Sequence, residues 1–200
     1  MKLILASNNA NKLVELQALF AGLPVDLVSQ KALGIADAEE PFSTFVENAL
    51  AKARHAAECG DAAAIADDSG LCVAALGGAP GVRSARYAAL AGLAPGDAQN
   101  NRLLLERMQG VADRRARFVS VLVALRSPAD PEPLIAIGDW PGELLDAPRG
   151  EGGFGYDPLL YIPALGRSAG ELDAAAKNAH SHRAVAAARM LASMRAQWFG

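Results

Sequence analysis

The chain has 200 residues, 52% of them hydrophobic, and a formal net charge of −3, which is enough apolar material to bury a full core as one domain, 1–200, either undivided or in two lobes. That charge gives no general attraction to nucleic acid or to an anionic membrane, and no stretch approaches the length needed to span a bilayer. Cys59 and Cys72 have no CxxC spacing and residues 1–5 hold too short an apolar run for a signal peptide, so a zinc site, a disulfide framework and export are not expected and a reduced, cytoplasmic setting is.

Leu3-Ile4-Leu5-Ala6 reads as a buried first strand, followed by the polar turn Ser7-Asn8-Asn9-Ala10-Asn11. Lys12 then opens a helix with Leu13, Leu16, Leu19 and Phe20 on its apolar face. Residues 25–28 form a second strand, so the chain begins β-α-β. After an acidic loop containing Glu39 and Glu40, Thr44 and Glu47 match a capping box. The helix they open runs to about Cys59, with Phe45, Ala49, Ala53 and Ala56 inside. Residues 63–66 and 71–75 read as two short strands flanking Asp67-Asp68-Ser69-Gly70. Residues 77–81 are an obligate glycine loop, and Asp97 is placed to cap a helix carrying Leu103, Leu104, Leu105 and Met108. Residues 116–125, apolar on both faces, suit a central strand, with 134–140 as its antiparallel partner. A second glycine-rich loop covers 150–158, a short strand 159–162, and a last helix starts near His182 and runs past Met194. Strands interleaved with helices predict an α/β domain.

Asp67 and Asp68 are the most telling residues. Adjacent carboxylates at a strand end repel unless a cation, a shared proton or donors compensate. Such a pair binds a hard metal, performs acid/base chemistry, or, with Ser69 and Gly70 following, merely caps a tight turn. The 7–12 turn offers backbone N–H groups, a hydroxyl, asparagines and the Lys12 ammonium to an anion; a plain N-cap with a surface lysine fits equally, and no GxxxxGK[ST] P-loop occurs in the chain. Glu39, Glu40, Asp67 and Asp68 supply the oxygen ligands that Mg²⁺ prefers, unless the two glutamates are simply a solvated loop. Gly150, Gly152 and Gly155 spell GxGxxG, but Pro148-Arg149 precede them and Tyr156-Asp157-Pro158 follow, so the strand-to-helix context of a dinucleotide fingerprint is missing. Phe154 and Tyr156 among those glycines suit either a stacking platform for a flat ring or an anchor to the core. His180-Ser181-His182 lacks a third ligand for zinc. Ser181 as an N-cap presenting His182 and Arg183 to an anion or a carbonyl fits better.

Taken together, the motifs Ala6-Ser7-Asn8-Asn9 with Lys12, Phe45-Val46-Glu47-Asn48-Ala49 with Lys52 and Arg54, Ala66-Asp67-Asp68-Ser69-Gly70-Leu71, Leu76-Gly77-Gly78-Ala79-Pro80-Gly81, Ser84-Ala85-Arg86-Tyr87, Gly152-Gly153-Phe154-Gly155-Tyr156-Asp157-Pro158 and Ser181-His182-Arg183-Ala184 resemble the inosine triphosphate pyrophosphatase family, the non-canonical purine (dITP/XTP) pyrophosphatases. The match runs from Leu3 to about Met194. Asn8 departs from it, standing where the family usually has glycine. The resemblance implies a mixed, elongated central sheet flanked by helices, with two lobes around a nucleotide-binding cleft, and a homodimer. It implies Mg²⁺-dependent hydrolysis of ITP, dITP and XTP to the monophosphate and pyrophosphate, which clears them from the nucleotide pool before they enter DNA or RNA. By position, Asp68 becomes the proton acceptor and a metal ligand, with Glu40 the second ligand and Glu39 its rival. Ser7, Asn8, Asn9, Ala10, Asn11, Lys12, Lys52, Ser69, Phe154, Gly155, Tyr156, Asp157, Lys177, His182 and Arg183 become substrate contacts, and Asp67 a supporting neighbour.

Overall fold

The computed structural model describes residues 1–200. The opening apolar run forms β1 (Lys2–Ala6), buried from Leu3 onward, and the polar turn delivers the chain into α1 (Ala10–Phe20). Asn9, not Lys12, sets the helix start: its side-chain oxygen accepts from the N–H groups of Asn11 and Lys12, two donors that the first turn would otherwise leave unpaired. β2 (Asp26–Ser29) begins one residue later than expected and lies parallel to β1. α2 (Phe45–Gly60) starts where the capping box places it, but only half of that box forms: the Thr44 hydroxyl accepts from Glu47 N, while the Glu47 carboxylate accepts from that hydroxyl and not from the Thr44 backbone N–H. Ala49, Ala53 and Ala56 are fully buried, the alanines letting the helix pack closely, and Phe45 is half-buried.

β3 (Ala63–Val73) corrects the sequence reading most directly. The two short strands expected on either side of the diacid are one strand of 11 residues that passes through Asp67-Asp68-Ser69-Gly70 without a turn. Strand propensity counts against Asp because a carboxylate on a half-buried surface normally goes unpartnered; both aspartates here have partners, described below.

β1 pairs parallel to β3, and the full sheet runs β2-β1-β3-β4-β5-β6-β7. β4 (Arg115–Leu125) is buried at every position from Phe118, as a central strand should be, while β5 (Leu134–Leu144) alternates buried and exposed and extends four residues past its expected end. β6 (Leu160–Ile162) and β7 (Arg167–Ser168) complete the sheet with antiparallel pairings. The expected mixed α/β sheet flanked by helices is therefore present. α3 (Asp97–Arg107) takes Gly96 as its N-cap. Asp97 does not cap it; that carboxylate instead accepts from Gly155 N at 2.7 Å. α4 (Ala174–His180), a short helix that the periodicity did not announce, is capped by Asp173, and α5 (His182–Trp198) follows it.

The chain divides into two compact units. The first comprises Met1–Asp68, Ser120–Gly138 and His182–Gly200, the second Ser69–Val119 and Asp139–Ser181. Leu3, Leu5, Leu16, Phe20, Ile65, Leu122 and Met190 centre the core of the first unit. Leu71, Tyr87, Leu104, Met108, Trp140 and Leu159 centre that of the second.

Candidate active site

Consecutive residues of a strand point to opposite faces, so Asp67 and Asp68 meet different partners, all within the first unit. Asp68, 4% exposed, faces α2. Lys52 Nζ lies 2.8 Å from Asp68 Oδ1 and 2.8 Å from Glu40 Oε1, bringing the two carboxylates onto one cationic point. Asn48 Nδ2 donates to Asp68 Oδ2 at 3.4 Å, and the buried Asn48 is itself held by the backbone N–H and carbonyl of Phe42. Burial pushes the Asp68 carboxyl above its ordinary range against the pull of Lys52. Burial also disfavours the Lys52 charge, but Asp68 and then Glu40 outweigh it and hold the ammonium above its ordinary value. Glu39 is exposed, and Glu40 is the glutamate that shares Lys52 with Asp68.

Asp67 has a side chain with no exposed surface and sits at the hub of a second network. Lys12 Nζ is 3.0 Å and Arg183 Nε 3.5 Å from its Oδ2, while the buried Ser120 hydroxyl donates to its Oδ1 at 2.6 Å. Glu15 closes the network by pairing with Arg183 Nη1. Burial alone would raise the Asp67 carboxyl; Lys12, then Arg183 and Ser120, reverse that and hold it far below its ordinary range. Burial pushes Lys12 below its usual value, with Asp67 opposing. Two neighbouring carboxylates are thus shifted in opposite directions by their surroundings, the pattern expected when one is a charge anchor and the other is poised to take a proton.

Other members of the expected set are placed as follows. Ser7 accepts from Asn9 N at 3.2 Å, and Asn9, Ala10 and Asn11 are exposed at the start of α1. Asn8 Oδ1 is buried without a hydrogen-bond partner. His182 and Arg183 are buried, 6% and 2% exposed, and the anion expected in front of them is internal for the arginine, which pairs with Glu15 and Asp67.

The second unit holds Ser69, the aromatic glycine loop and Lys177. Gly70 is required by close approach: a Cβ there would come within 2.3 Å of Gly81 O and 2.5 Å of Ser84 Oγ. That hydroxyl accepts from Leu71 N at 2.9 Å and donates to Gly81 O at 2.6 Å. Gly70→Ala is therefore expected to cost about 1–3 kcal/mol through overpacking, seen as a lower urea midpoint with an unchanged slope; an unchanged midpoint would contradict the contact. In the loop, Asp157 Oδ2 accepts from Phe154 N and from Lys177 Nζ, each at 2.8 Å, and the Lys177 ammonium lies 5.2 Å from the Phe154 ring centroid, within cation–π range. Tyr156 is 3% exposed and donates its hydroxyl to Ser84 O at 2.9 Å. It anchors the loop to the core, while Phe154 remains half-buried.

Ser120, Glu15 and Asn48 were not singled out by the sequence. Glu15 lies one turn after Lys12, at the i+3 spacing that shares a helix face, and Asn48 stands inside a quoted motif. Ser120, a lone hydroxyl in the apolar run of β4, is the one polar residue whose burial could have flagged it.

A mixed sheet whose third strand carries two buried carboxylates, each wired to lysine or arginine, defines an α/β protein that concentrates charge at a strand rather than a scaffold with a capped turn. The chain belongs to the Ham1 family, whose profile matches residues 3–193. It is 66% identical to the dITP/XTP pyrophosphatase of Methylibium petroleiphilum, over 99% of each chain, and 60% identical to that of Paracidovorax citrulli, over 100% of each. Its fold is similar to that of a HAM1 protein from Coxiella burnetii, with a TM-score of 0.91 and 44% identity over 98% of this chain and 99% of the other. The resemblance read from the motifs is borne out.

Proposed function

We propose that the whole chain acts as one catalytic domain that hydrolyses non-canonical purine nucleoside triphosphates (ITP, dITP and XTP) to the monophosphate and pyrophosphate, as a Mg²⁺-dependent homodimer in the cytoplasm that keeps these nucleotides out of DNA and RNA. The names and high identities of the relatives support the reaction. The single observation that carries it to residues is the Asp68–Lys52–Glu40 arrangement.

Asp68 orients a water and takes its proton as the water oxygen attacks the α-phosphorus; the bond from that phosphorus to the bridging oxygen breaks, and the electron pair leaves with pyrophosphate. A carboxyl raised above its ordinary range is the better proton acceptor. No cluster of three or more His, Cys, Asp or Glu side chains is gathered for a metal. The chain's contribution is therefore the Glu40 and Asp68 pair, whose oxygens already converge on one cation, which fits an ion that keeps waters and phosphate oxygens as its other ligands. Bound there, Mg²⁺ would supply charge stabilisation to the departing pyrophosphate. Ser7 to Lys12, Lys52, Ser69 and Lys177 serve the phosphates; the Asn8 amide, turned by half a revolution, would offer its Nδ2 where its oxygen now lacks a partner. Phe154 offers its ring to the base, with Gly155, Tyr156 and Asp157 shaping the loop. His182 and Arg183 select 6-oxo purines, because a donor there meets an acceptor in hypoxanthine or xanthine but another donor in adenine. Arg183 comes to that task already oriented by two carboxylates.

Incubation with ITP and Mg²⁺ should release inosine monophosphate and pyrophosphate in equal amounts, with ATP turned over far more slowly. Orthophosphate as the product, or nucleotide binding without turnover, would exclude this reading and leave a phosphatase or a sensor in its place.

A further inference from the structure

We propose that Asp97 and Asn101 of α3 are positioning residues that clamp the Gly155 peptide, hold the Phe154 ring for the base and so set nucleotide affinity without entering the chemistry; this rests on the function proposed above. The clamp is two-sided. Asp97 Oδ2 accepts from Gly155 N at 2.7 Å, and Asn101 Nδ2 donates to Gly155 O at 2.9 Å. Residues four apart share a helix face, so one face of α3 grips both polar groups of a single residue. Gly155 has φ +62°, in the left-handed region where glycine resists bending least. A joint this compliant takes its geometry from whatever holds it.

The rest of the loop is tethered on its other sides. Tyr156 is fixed through Ser84 O, and Asp157 through Lys177. Phe154 N is held by Asp157, and its ring by the Lys177 ammonium. The α3 clamp supplies the tether between Phe154 and Tyr156. Asp97 is exposed and Asn101 half-buried, so removing either leaves little buried and unsatisfied. Their loss should fall on the pose of the loop, not on the stability of the unit.

The test uses Asp97→Ala, Asn101→Ala and the conservative Asp97→Asn, which keeps an oxygen for Gly155 N. With ITP and Mg²⁺, each alanine variant should raise KM by about 5- to 150-fold, the range for a lost base–aromatic stack, with kcat nearly unchanged. Inhibition by pyrophosphate, which has no base, should stay at the wild-type level, and Asp97→Asn should restore most of the affinity. Hydrogen exchange at the Gly155 amide should accelerate in Asp97→Ala. Unchanged KM alongside accelerated exchange would overturn the proposal, as would weakened pyrophosphate inhibition equal to the weakened ITP binding, which would mean general damage. If wild-type protein releases no pyrophosphate from ITP, the proposed function fails separately. Equilibrium binding of ITP to wild type and variants then decides the clamp, and equal affinities would refute it.

Discussion

Asp68→Asn is expected to lower kcat for ITP by about 10²–10⁴-fold, the usual contribution of a general base, while ITP still binds. The amide is nearly isosteric and its one oxygen can keep the contact with Lys52, which Glu40 still pairs, while the long 3.4 Å contact from Asn48 is given up, so the cluster should stay folded around it. What the amide cannot do is accept the proton from the attacking water. Single-turnover kinetics at saturating ITP and Mg²⁺ would isolate the chemical step. Unchanged turnover would remove Asp68 from the mechanism. Turnover restored by excess Mg²⁺ would make it a ligand alone.

The backbone course was largely legible because apolar periodicity and capping carry it locally. β1, α2 and β4 follow from Leu3 to Ala6, from Thr44 with Glu47, and from the apolar run after Phe118 that only Ser120 interrupts. The break expected at Asp67 and Asp68 was wrong for a reason that no local rule contains. Whether a strand can pass through two carboxylates depends on Lys12, Lys52, Ser120 and Arg183, up to 116 residues away in sequence. The same long-range pull accounts for Arg183. Read locally, cations in the first turn of a helix call for an anion or a carbonyl in front of them; in the fold, Glu15 and Asp67 are the anions and the arginine turns inward to meet them. Asp97 misled in the opposite sense, because a helix-start aspartate is so often a cap that its use on a distant glycine had no local signal.

Asp67→Asn tests the other half of the diacid and should cost about 3–5 kcal/mol of folding stability, the range for removing one partner of a buried ion pair. The loss arises because the half-buried Lys12 and the buried Arg183 would be left beside a neutral amide, not because the intact network is worth that much against an apolar core. In a chain of 200 residues that loss lowers Tm by about 6–20 °C. The effect carries a pH signature. Asp67 is held far below its ordinary range in the folded protein, so its contribution is fully present above the unfolded carboxylate pKa of about 3.9 and fades as pH falls from there toward the folded value. The gap between wild type and Asp67→Asn should therefore be flat from about pH 5 to pH 8 and narrow below about pH 4. Urea titrations of the two proteins across that range would measure it. A gap that widened on acidification would reverse the sign of the linkage, and a gap under about 1 kcal/mol at neutral pH, no more than an exposed pair contributes, would show that Lys12 and Arg183 find other partners. The large, pH-limited gap would instead identify Asp67 as the fixed negative charge that holds the half-buried Lys12 and the buried Arg183 at the start of α1 and α5, next in sequence to the carboxylate proposed to take the proton.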